Sequence, residues 1–171
     1  QSETTVRDMV DFFMLVVLTG AGDDLQGIKK GIMELADAIV VNKADGDNLE
    51  RAKVTQGEYE RMVEFIRPAT EGWQTHAYRC SALKKTGLLE LWAVMREFEK
   101  VTKKSGVFEN RRQRQTLSWV HSMIEEHLHN LFFEDPIIKS RMPEVRATVL
   151  TGVVSPSQAV TELIRVFDMD K

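Results

Sequence analysis

The sequence predicts an α/β fold, in which a parallel sheet with flanking helices is followed by an all-helical extension. Short apolar runs alternate with segments of helical periodicity as far as about residue 104, and this alternation is typical of parallel strands joined by helical crossovers. From Ser105 onwards, apolar residues recur at helical spacing to the end of the chain. We therefore expect an α/β part over residues 1–104 and a helical part over residues 105–171.

The elements of the α/β part follow from local sequence signals. Ser2 is a possible cap of the first helix, because its hydroxyl can accept a backbone N–H. Phe12–Leu18 is an uninterrupted apolar run, as expected of a buried strand, and Pro68 marks the end of a helix because proline has no N–H. The expected elements are a helix over 2–10, a strand over 12–18, a helix over 25–35, a strand over 38–41, a helix over 47–66, a strand over 76–80 and a helix from Gly87.

The helical part carries the signals of three helices. They are expected over residues 107–133, 138–150 and 157–167. Pro136 interrupts the first, whose apolar residues lie three and four positions apart, and Ser155 with Pro156 has the pattern of a helix start. Trp119, Met123 and Phe132 lie partly off the apolar stripe, which indicates a partner surface unless these side chains pack back onto the α/β part.

Composition limits the classes of function. Hydrophobic residues make up 43% of the 171 residues and charged residues 29%, which is ordinary for a globular protein. The formal net charge of −3 argues against nucleic acid as a partner, since nucleic-acid affinity usually depends on a basic surface. No apolar run reaches membrane-spanning length, so no membrane partner is expected. The single cysteine, Cys80, fits a reducing compartment and a place in the core.

The clearest chemical signal is Asn42-Lys43-Ala44-Asp45, which follows the apolar run Ala38–Val41. Asn-Lys-x-Asp is the base-reading motif of GTP-binding proteins. Guanine presents two neighbouring donors, N1–H and the exocyclic amino group, and the Asp45 carboxylate can accept both in charge-assisted hydrogen bonds. Adenine lacks this pair of donors, so the carboxylate discriminates between the bases. The stem of Lys43 is expected over the base face, and the amide of Asn42 is expected to tie neighbouring loops together.

A second loop is expected to complete the base pocket. The predicted strand His76–Cys80 ends in Ser81-Ala82-Leu83, the pattern of a loop whose backbone N–H meets the base carbonyl oxygen. Because open α/β sheets bind ligands at the carboxyl ends of their strands, the two loops should lie side by side. The alternative is a pair of polar turns without a ligand, since Asn, Asp and Gly are common in turns.

A phosphate-binding loop of the form Gly-x4-Gly-Lys-Ser/Thr does not occur in the sequence. Asp24-Leu25-Gln26-Gly27 matches the Asp-x-x-Gly pattern of a γ-phosphate sensor, but it lies too close to Asn42 to leave room for the intervening strand and helix. We expect that the chain begins partway through a longer protein. The phosphate, Mg²⁺ and catalytic groups would then precede Gln1, and we assign no catalytic residue and no metal ligand to this chain.

Three blocks of sequence point to a family. Gln1–Val6, Asp8–Phe13 and above all Gly20–Ile32 resemble the methylmalonyl-CoA mutase-associated GTPases, which are known as MeaB or ArgK in bacteria and as the methylmalonic aciduria type A protein in animals. The resemblance covers essentially the whole chain and thins after about Ser105. It implies the C-terminal half of a P-loop NTPase sheet, of the SIMIBI class of GTPases, followed by a helical dimerisation arm.

The resemblance also implies an activity and partners. Such proteins bind GTP and GDP with Mg²⁺, and they gate the delivery of adenosylcobalamin to methylmalonyl-CoA mutase or a related cobalamin-dependent mutase, which they also protect. A homodimer is implied, in the bacterial cytoplasm or the mitochondrial matrix. The residues expected to bind guanine are Asn42, Lys43, Asp45, Ser81, Ala82 and Leu83. The residues of an implied nucleotide-responsive switch loop are Asp23, Asp24, Gln26, Lys29 and Lys30.

Other functions remain open at this point. A GTPase that loads another metal, such as nickel, is the main rival, although the Cys/His motifs typical of those proteins are not found. A non-catalytic dimerisation and binding module is a rival from a different class. An older label of the family, a kinase for periplasmic amino-acid transport, is a weaker possibility.

Two groups of side chains on the long predicted helix receive structural explanations. A zinc site is not expected from its histidines, because positions two apart point to different faces of a helix. These histidines are His121, His127 and His129. Three arginines could contact phosphate or RNA, but a solvated helix face is the commoner outcome. These arginines are Arg111, Arg112 and Arg114.

Overall fold

The chain has an α/β fold in a computed structural model that describes residues 2–19 and 31–169. It divides into two compact units, Gln1–Gln115 and Thr116–Lys171. The described residues of the first unit form a parallel sheet with helices, and those of the second unit form helices. The boundary between the units falls inside the long helix that the sequence predicts over residues 107–133.

The sheet comprises three parallel strands among the described residues, in the order β1-β2-β3. These strands are β1 (Met14–Leu18), β2 (Ala38–Asn42) and β3 (Ala77–Arg79). β2 is central, and its Val40 pairs with Val16 on one side and with Tyr78 on the other. Because the strands run in one direction, the segments that follow them emerge at the same edge of the sheet.

Four helices that lie wholly within the described residues accompany the strands, and one of them, α2, connects β2 to β3 as predicted. They are α1 (Ser2–Met9), α2 (Leu49–Val63), α3 (Leu88–Lys104) and α4 (Val107–Phe133), of which residues 107–115 belong to the first unit. A 3₁₀ turn, Gly46–Asn48, leads into α2. The helix predicted over residues 25–35 falls partly on residues 20–30, outside the described residues, and residues 31–33 are helical.

The core of the first unit lies on both faces of the sheet. On one face, Ile39 and Val41 of β2 are buried against Tyr59 of α2. On the other face, Val40 is buried against Leu91 of α3. β2 is therefore buried on both sides, which explains its uninterrupted apolar sequence.

β1 differs from the buried strand that the run Phe12–Leu18 predicts. Its Val16 and Leu18 are 55% and 46% exposed, whereas Leu15 and Val17 pack against the core. β1 is an edge strand of the sheet among the described residues, and on the face that carries the two exposed side chains it is Met14 that packs against the cluster of Val40 and Leu91. An apolar run is therefore not sufficient evidence for burial on both faces.

Asp37, just before β2, is the centre of a buried ionic cluster in the first unit. Its carboxylate accepts hydrogen bonds from the Phe13 N–H at 2.9 Å and from the Thr70 hydroxyl. It lies 3.2 Å from Nη1 of Arg7 and 3.6 Å from Nη1 of Arg111. The predicted solvated position is wrong for Arg111, whose side chain is 11% exposed because its guanidinium lies against this carboxylate.

Capping residues mark where two helices of the second unit begin. After α4 the unit contains α5 (Pro136–Leu150) and α6 (Pro156–Met169). Asp135 caps α5 by accepting the Ile138 N–H at 3.1 Å, and Pro136 occupies the first turn, where no N–H is needed. Pro136 thus begins a helix two residues before the predicted start. Ser155 caps α6 as predicted, since its hydroxyl accepts the Gln158 N–H at 3.3 Å.

Neither a membrane-spanning helix nor a metal-binding cluster lies in the described ranges 2–19 and 31–169. None of the helices there combines the length and the apolar content that a bilayer crossing requires. No group of three or more His, Cys, Asp or Glu side chains in these ranges is placed to hold a metal ion.

Candidate guanine-binding site

The loops that follow β2 and β3 contact each other at the carboxyl edge of the sheet. Ser81 Oγ donates a hydrogen bond to the Asp45 carboxylate. The Ala82 N–H donates to Asn42 Oδ1 over 3.3 Å. The structure therefore brings together the two loops in which the sequence predicts a base site.

Backbone pairing continues past the strand ends and aligns these loops. The Cys80 N–H donates to the Val41 carbonyl at 2.9 Å, and the Ala44 N–H donates to the Cys80 carbonyl at 3.0 Å. The return of the second loop requires a glycine at Gly87, where φ is +76° and a Cβ would lie 2.5 Å from the Arg79 carbonyl oxygen. The spacing of the loops is therefore set by main-chain contacts as well as by side chains.

Ser81 orients the carboxylate of Asp45. Ser81 is fully buried, and its hydroxyl accepts the Lys84 N–H at 3.0 Å while it donates to Asp45 Oδ2. The single hydroxyl proton is thus directed at the carboxylate. Asp45 itself is half-buried, and a carboxylate has about four lone-pair positions, so it retains capacity for donors from a ligand.

The remaining predicted residues differ in exposure. Asn42 is half-buried, Lys43 and Ala82 are exposed, and Leu83 is 79% exposed. A cavity of about 440 Å³ borders the loops, but Asp45 is the one residue that it shares with the six predicted guanine ligands. This cavity is therefore a neighbour of the predicted base site and not the site itself.

Asn48 is a residue of this region that the sequence interpretation did not include. Its Nδ2 donates to the Lys43 carbonyl at 2.7 Å, and its Oδ1 accepts the Thr19 hydroxyl at 2.7 Å. Asn48 precedes α2, where asparagine usually caps a helix, yet its side chain makes no capping hydrogen bond. An asparagine before a predicted helix is ordinarily explained as a helix cap, so the sequence gives no signal of the contacts that Asn48 makes with Thr19 and Lys43.

The predicted switch loop lies outside the described residues. Its members Asp23, Asp24, Gln26, Lys29 and Lys30 all fall within residues 20–30. The rejected Asp-x-x-Gly segment, residues 24–27, falls in the same range.

Cys80 and the histidines of α4 are the other residues whose chemistry could suggest a site. Cys80 is buried next to Val40 and Leu91, as predicted for a core cysteine, and burial raises the pKa of its thiol. The three histidines of α4 are exposed, and the ring of His129 lies 4.5 Å from that of Phe133. These observations assign no nucleophile to the described residues.

Comparison with known proteins identifies relatives along the whole chain. The family model described as methylmalonyl Co-A mutase-associated GTPase MeaB matches residues 1–136. A mitochondrial methylmalonic aciduria type A homolog from Mus musculus is 38% identical over 167 residues, which cover 98% of this chain and 40% of the relative. GTPase ArgK from Escherichia coli is 37% identical over 163 residues, which cover 95% of this chain and 49% of the relative.

The fold is shared with a solved structure. The crystal structure of LAO/AO transport system kinase superposes with a TM-score of 0.73 at 32% sequence identity, over 98% of this chain and 53% of that one. The chain thus spans about half the length of the relatives that it matches. Since the family model covers most of the chain, the protein belongs to the MeaB family of methylmalonyl-CoA mutase-associated GTPases.

Proposed function

We propose that the first unit is the guanine-recognising part of a GTPase, in which Asp45 reads the base. The contact between the Ser81 hydroxyl and the Asp45 carboxylate carries this proposal. It holds a half-buried acceptor at the edge where open α/β sheets bind ligands. Guanine fits such an acceptor because its N1–H and amino group are neighbouring donors, and charge-assisted hydrogen bonds to a carboxylate are strong.

The neighbouring loop residues have supporting roles in this proposal. Lys43 is exposed, and its aliphatic stem would cover one face of the base. Asn42 accepts the Ala82 N–H and so keeps the two loops at a constant spacing. Ala82 and Leu83 would close the pocket, with a backbone N–H of their loop donating to the base carbonyl oxygen.

We assign guanine recognition and GTP hydrolysis to different sets of residues. The 171 residues contain no Gly-x4-Gly-Lys-Ser/Thr loop, so we assign to them the base of GTP or GDP and not the phosphates. Binding of Mg²⁺ and hydrolysis of GTP are proposed for a longer protein that contains this chain. In such a protein Asp45 sets which nucleotide is bound, while other residues perform the reaction.

Base selection is tested by titrating GDP and ADP onto the ¹⁵N-labelled chain. We expect GDP to shift the amide signals of Lys43, Asp45 and Ala82, and ADP to do so with at least about 100-fold lower affinity, because an adenine leaves the carboxylate unpaired. Amide shifts detect weak binding, so binding through the base is observable although these 171 residues contain no Gly-x4-Gly-Lys-Ser/Thr loop. Equal shifts with ADP, or no shift with millimolar GDP, would contradict the proposal.

For the whole protein we propose a role in cobalamin-dependent mutase maturation. GTP binding and hydrolysis would gate delivery of adenosylcobalamin to methylmalonyl-CoA mutase, or a related mutase, and would protect that enzyme. The family description, which names methylmalonyl Co-A mutase, supports this role. Gel filtration of the longer protein with the mutase, in GDP and in a non-hydrolysable GTP analogue, is the test. Absence of a complex in both nucleotides would exclude the mutase as client.

We further propose that residues 105–171 act as a dimerisation arm. α4 exposes a series of large apolar side chains, and an exposed apolar face of this kind marks an interaction site. Its members are Leu117, Val120, Met123, Ile124, Leu128 and Leu131. A second copy of the same helix has a matching surface, and symmetric dimers are the commonest oligomers.

Sedimentation equilibrium tests the dimerisation arm. We expect the chain to be a dimer and Ile124→Asp to be a monomer, because a charge would be buried in the interface. Glu125→Gln, on the neighbouring exposed position, should remain a dimer. A monomeric wild-type chain would remove this role from the arm.

A further inference from the structure

The side-chain amide of Asn48 links two loops that are distant in sequence. It donates to the Lys43 carbonyl and accepts from the Thr19 hydroxyl, both over 2.7 Å. The Lys43 carbonyl can only accept a hydrogen bond, so the Asn48 amide must direct its nitrogen towards Lys43 and its oxygen towards Thr19. Both polar groups of this half-buried side chain are thus used in contacts between segments rather than in capping α2.

The contact with Lys43 bears on backbone geometry inside the base-reading motif. Lys43 has φ of +60°, a left-handed conformation that is unfavourable for a non-glycine residue and persists where neighbouring contacts hold it. Two side chains clamp this residue. Asn42 Oδ1 accepts its N–H at 2.7 Å, and Asn48 Nδ2 holds its carbonyl at 2.7 Å.

The left-handed turn at Lys43 determines where Asp45 lies. Asp45 follows two residues later, and its carbonyl accepts the Asn48 N–H at 3.1 Å. Asn48 therefore contacts the motif on both sides of Ala44, once through its side chain and once through its main chain. A change in the orientation of Asn48 would move the carboxylate relative to the Ser81 hydroxyl that orients it.

The contact with Thr19 connects the motif to the end of β1. Thr19 follows Leu18, the last residue of β1, which pairs with Asn42 at the end of β2. The hydroxyl of Thr19 donates to the amide oxygen of Asn48. A displacement of Thr19 would therefore move the amide group that donates to the Lys43 carbonyl. The chain from Thr19 through Asn48 to Lys43 is continuous in hydrogen bonds.

We propose that Asn48 is a positioning residue for guanine recognition, which holds Lys43 in its left-handed conformation and makes the direction of the Asp45 carboxylate depend on Thr19. Asn48 does not contact the base in this scheme. The inference rests on the proposed guanine site for its effect on binding, whereas its effect on the Lys43 backbone is independent of any nucleotide.

The first measurement uses the chain without nucleotide. The φ angle of Lys43, from scalar couplings and backbone chemical shifts, is expected to leave the left-handed region in Asn48→Asp, because a carboxylate cannot donate to the Lys43 carbonyl. Asn110→Asp is the matched control, an exposed asparagine of the same unit. A left-handed Lys43 in Asn48→Asp, or an equal change in both variants, would overturn the inference whatever the fate of the guanine site.

The second measurement is the GDP titration. Asn48→Asp is expected to bind GDP about tenfold more weakly while its weak affinity for ADP changes little, as for the loss of one hydrogen bond that orients the acceptor. Thr19→Val should give a smaller loss of GDP affinity. The double variant Thr19→Val/Asn48→Ala should bind GDP as tightly as Asn48→Ala alone, because both substitutions act through the same amide. Additive losses, or equal losses for both nucleotides, would show a structural effect alone. If the wild-type chain has no base preference, the guanine site fails while the backbone result stands.

Discussion

Replacement of Asp37 by Asn is expected to lower the free energy of unfolding of the first unit by about 3–5 kcal/mol, the typical cost of breaking a buried ion pair. Asn preserves the shape of the side chain and removes its charge. Arg7 and Arg111 would then face each other without the carboxylate that lies between them. Burial lowers the pKa of Arg7 and Asp37 acts in the opposite direction, so Asp37 is the group that favours the charged guanidinium.

The hydrogen bonds of Asp37 add to this effect. Its two oxygens accept the Phe13 N–H and the Thr70 hydroxyl, and Asn would present an amino group to one of these donors. A buried donor without an acceptor costs about 1–3 kcal/mol. Because the cluster joins α1, the segment before β2 and the start of α4, its loss would loosen elements that are far apart in the sequence.

Hydrogen exchange at the amide of Ile39 is the measurement of choice for Asp37→Asn. That amide donates to the His76 carbonyl within the sheet, so its exchange reports on the first unit even if the second unit unfolds separately. Asp47→Asn, at an exposed position, is the matched control and should change stability by less than about 0.5 kcal/mol. Equal protection in the two variants would show that the ionic cluster does not stabilise the unit.

The parts of the molecule that could be predicted from sequence are those with local causes. The strand before Asn42 is a continuous apolar run, and it is buried on both faces in the structure. The helix α4 begins and ends at the predicted residues, because its apolar spacing is long and regular. Parallel strands place their loops at one edge, so the proximity of Asp45 and Ser81 also follows from the order of elements.

The parts that could not be predicted depend on contacts between distant residues. Arg7 and Asp37 are 30 positions apart, and periodicity alone places Arg111 on a polar helix face that could equally be solvated. A polar face that meets a buried carboxylate gives the same sequence pattern as one that meets water. Asn48 likewise has a local explanation as a helix cap, and the structure is needed to show that its amide bridges two loops.

Replacement of Asp45 by Asn is expected to reduce the preference of the chain for GDP over ADP by about 100-fold, or about 3 kcal/mol. The amide keeps one acceptor oxygen, so the Ser81 hydroxyl retains a partner and the loop is expected to fold as before. Its amino group, however, meets the exocyclic amino group of guanine, and two donors cannot pair. The loss therefore concerns the base and not the stability of the protein.

Xanthosine diphosphate is expected to pair with the variant Asp45→Asn better than GDP does. Xanthine keeps N1–H but carries a carbonyl oxygen where guanine has its amino group, so the amide of Asp45→Asn can accept from one and donate to the other. We expect the order of affinities to reverse, with the xanthine nucleotide bound more tightly than GDP by about tenfold or more. Amide shifts of the ¹⁵N-labelled variant measure this order directly.

A reversal is stronger evidence than a loss, because damage to the loops can weaken binding but cannot create a preference for a new base. Asp47→Asn removes the same charge two residues further on, at an exposed position, and should leave the preference for GDP intact. If that control lost its preference equally, long-range charge and not pairing at the base edge would explain the effect. If Asp45→Asn still preferred GDP over the xanthine nucleotide, the carboxylate would not be the group that reads the base.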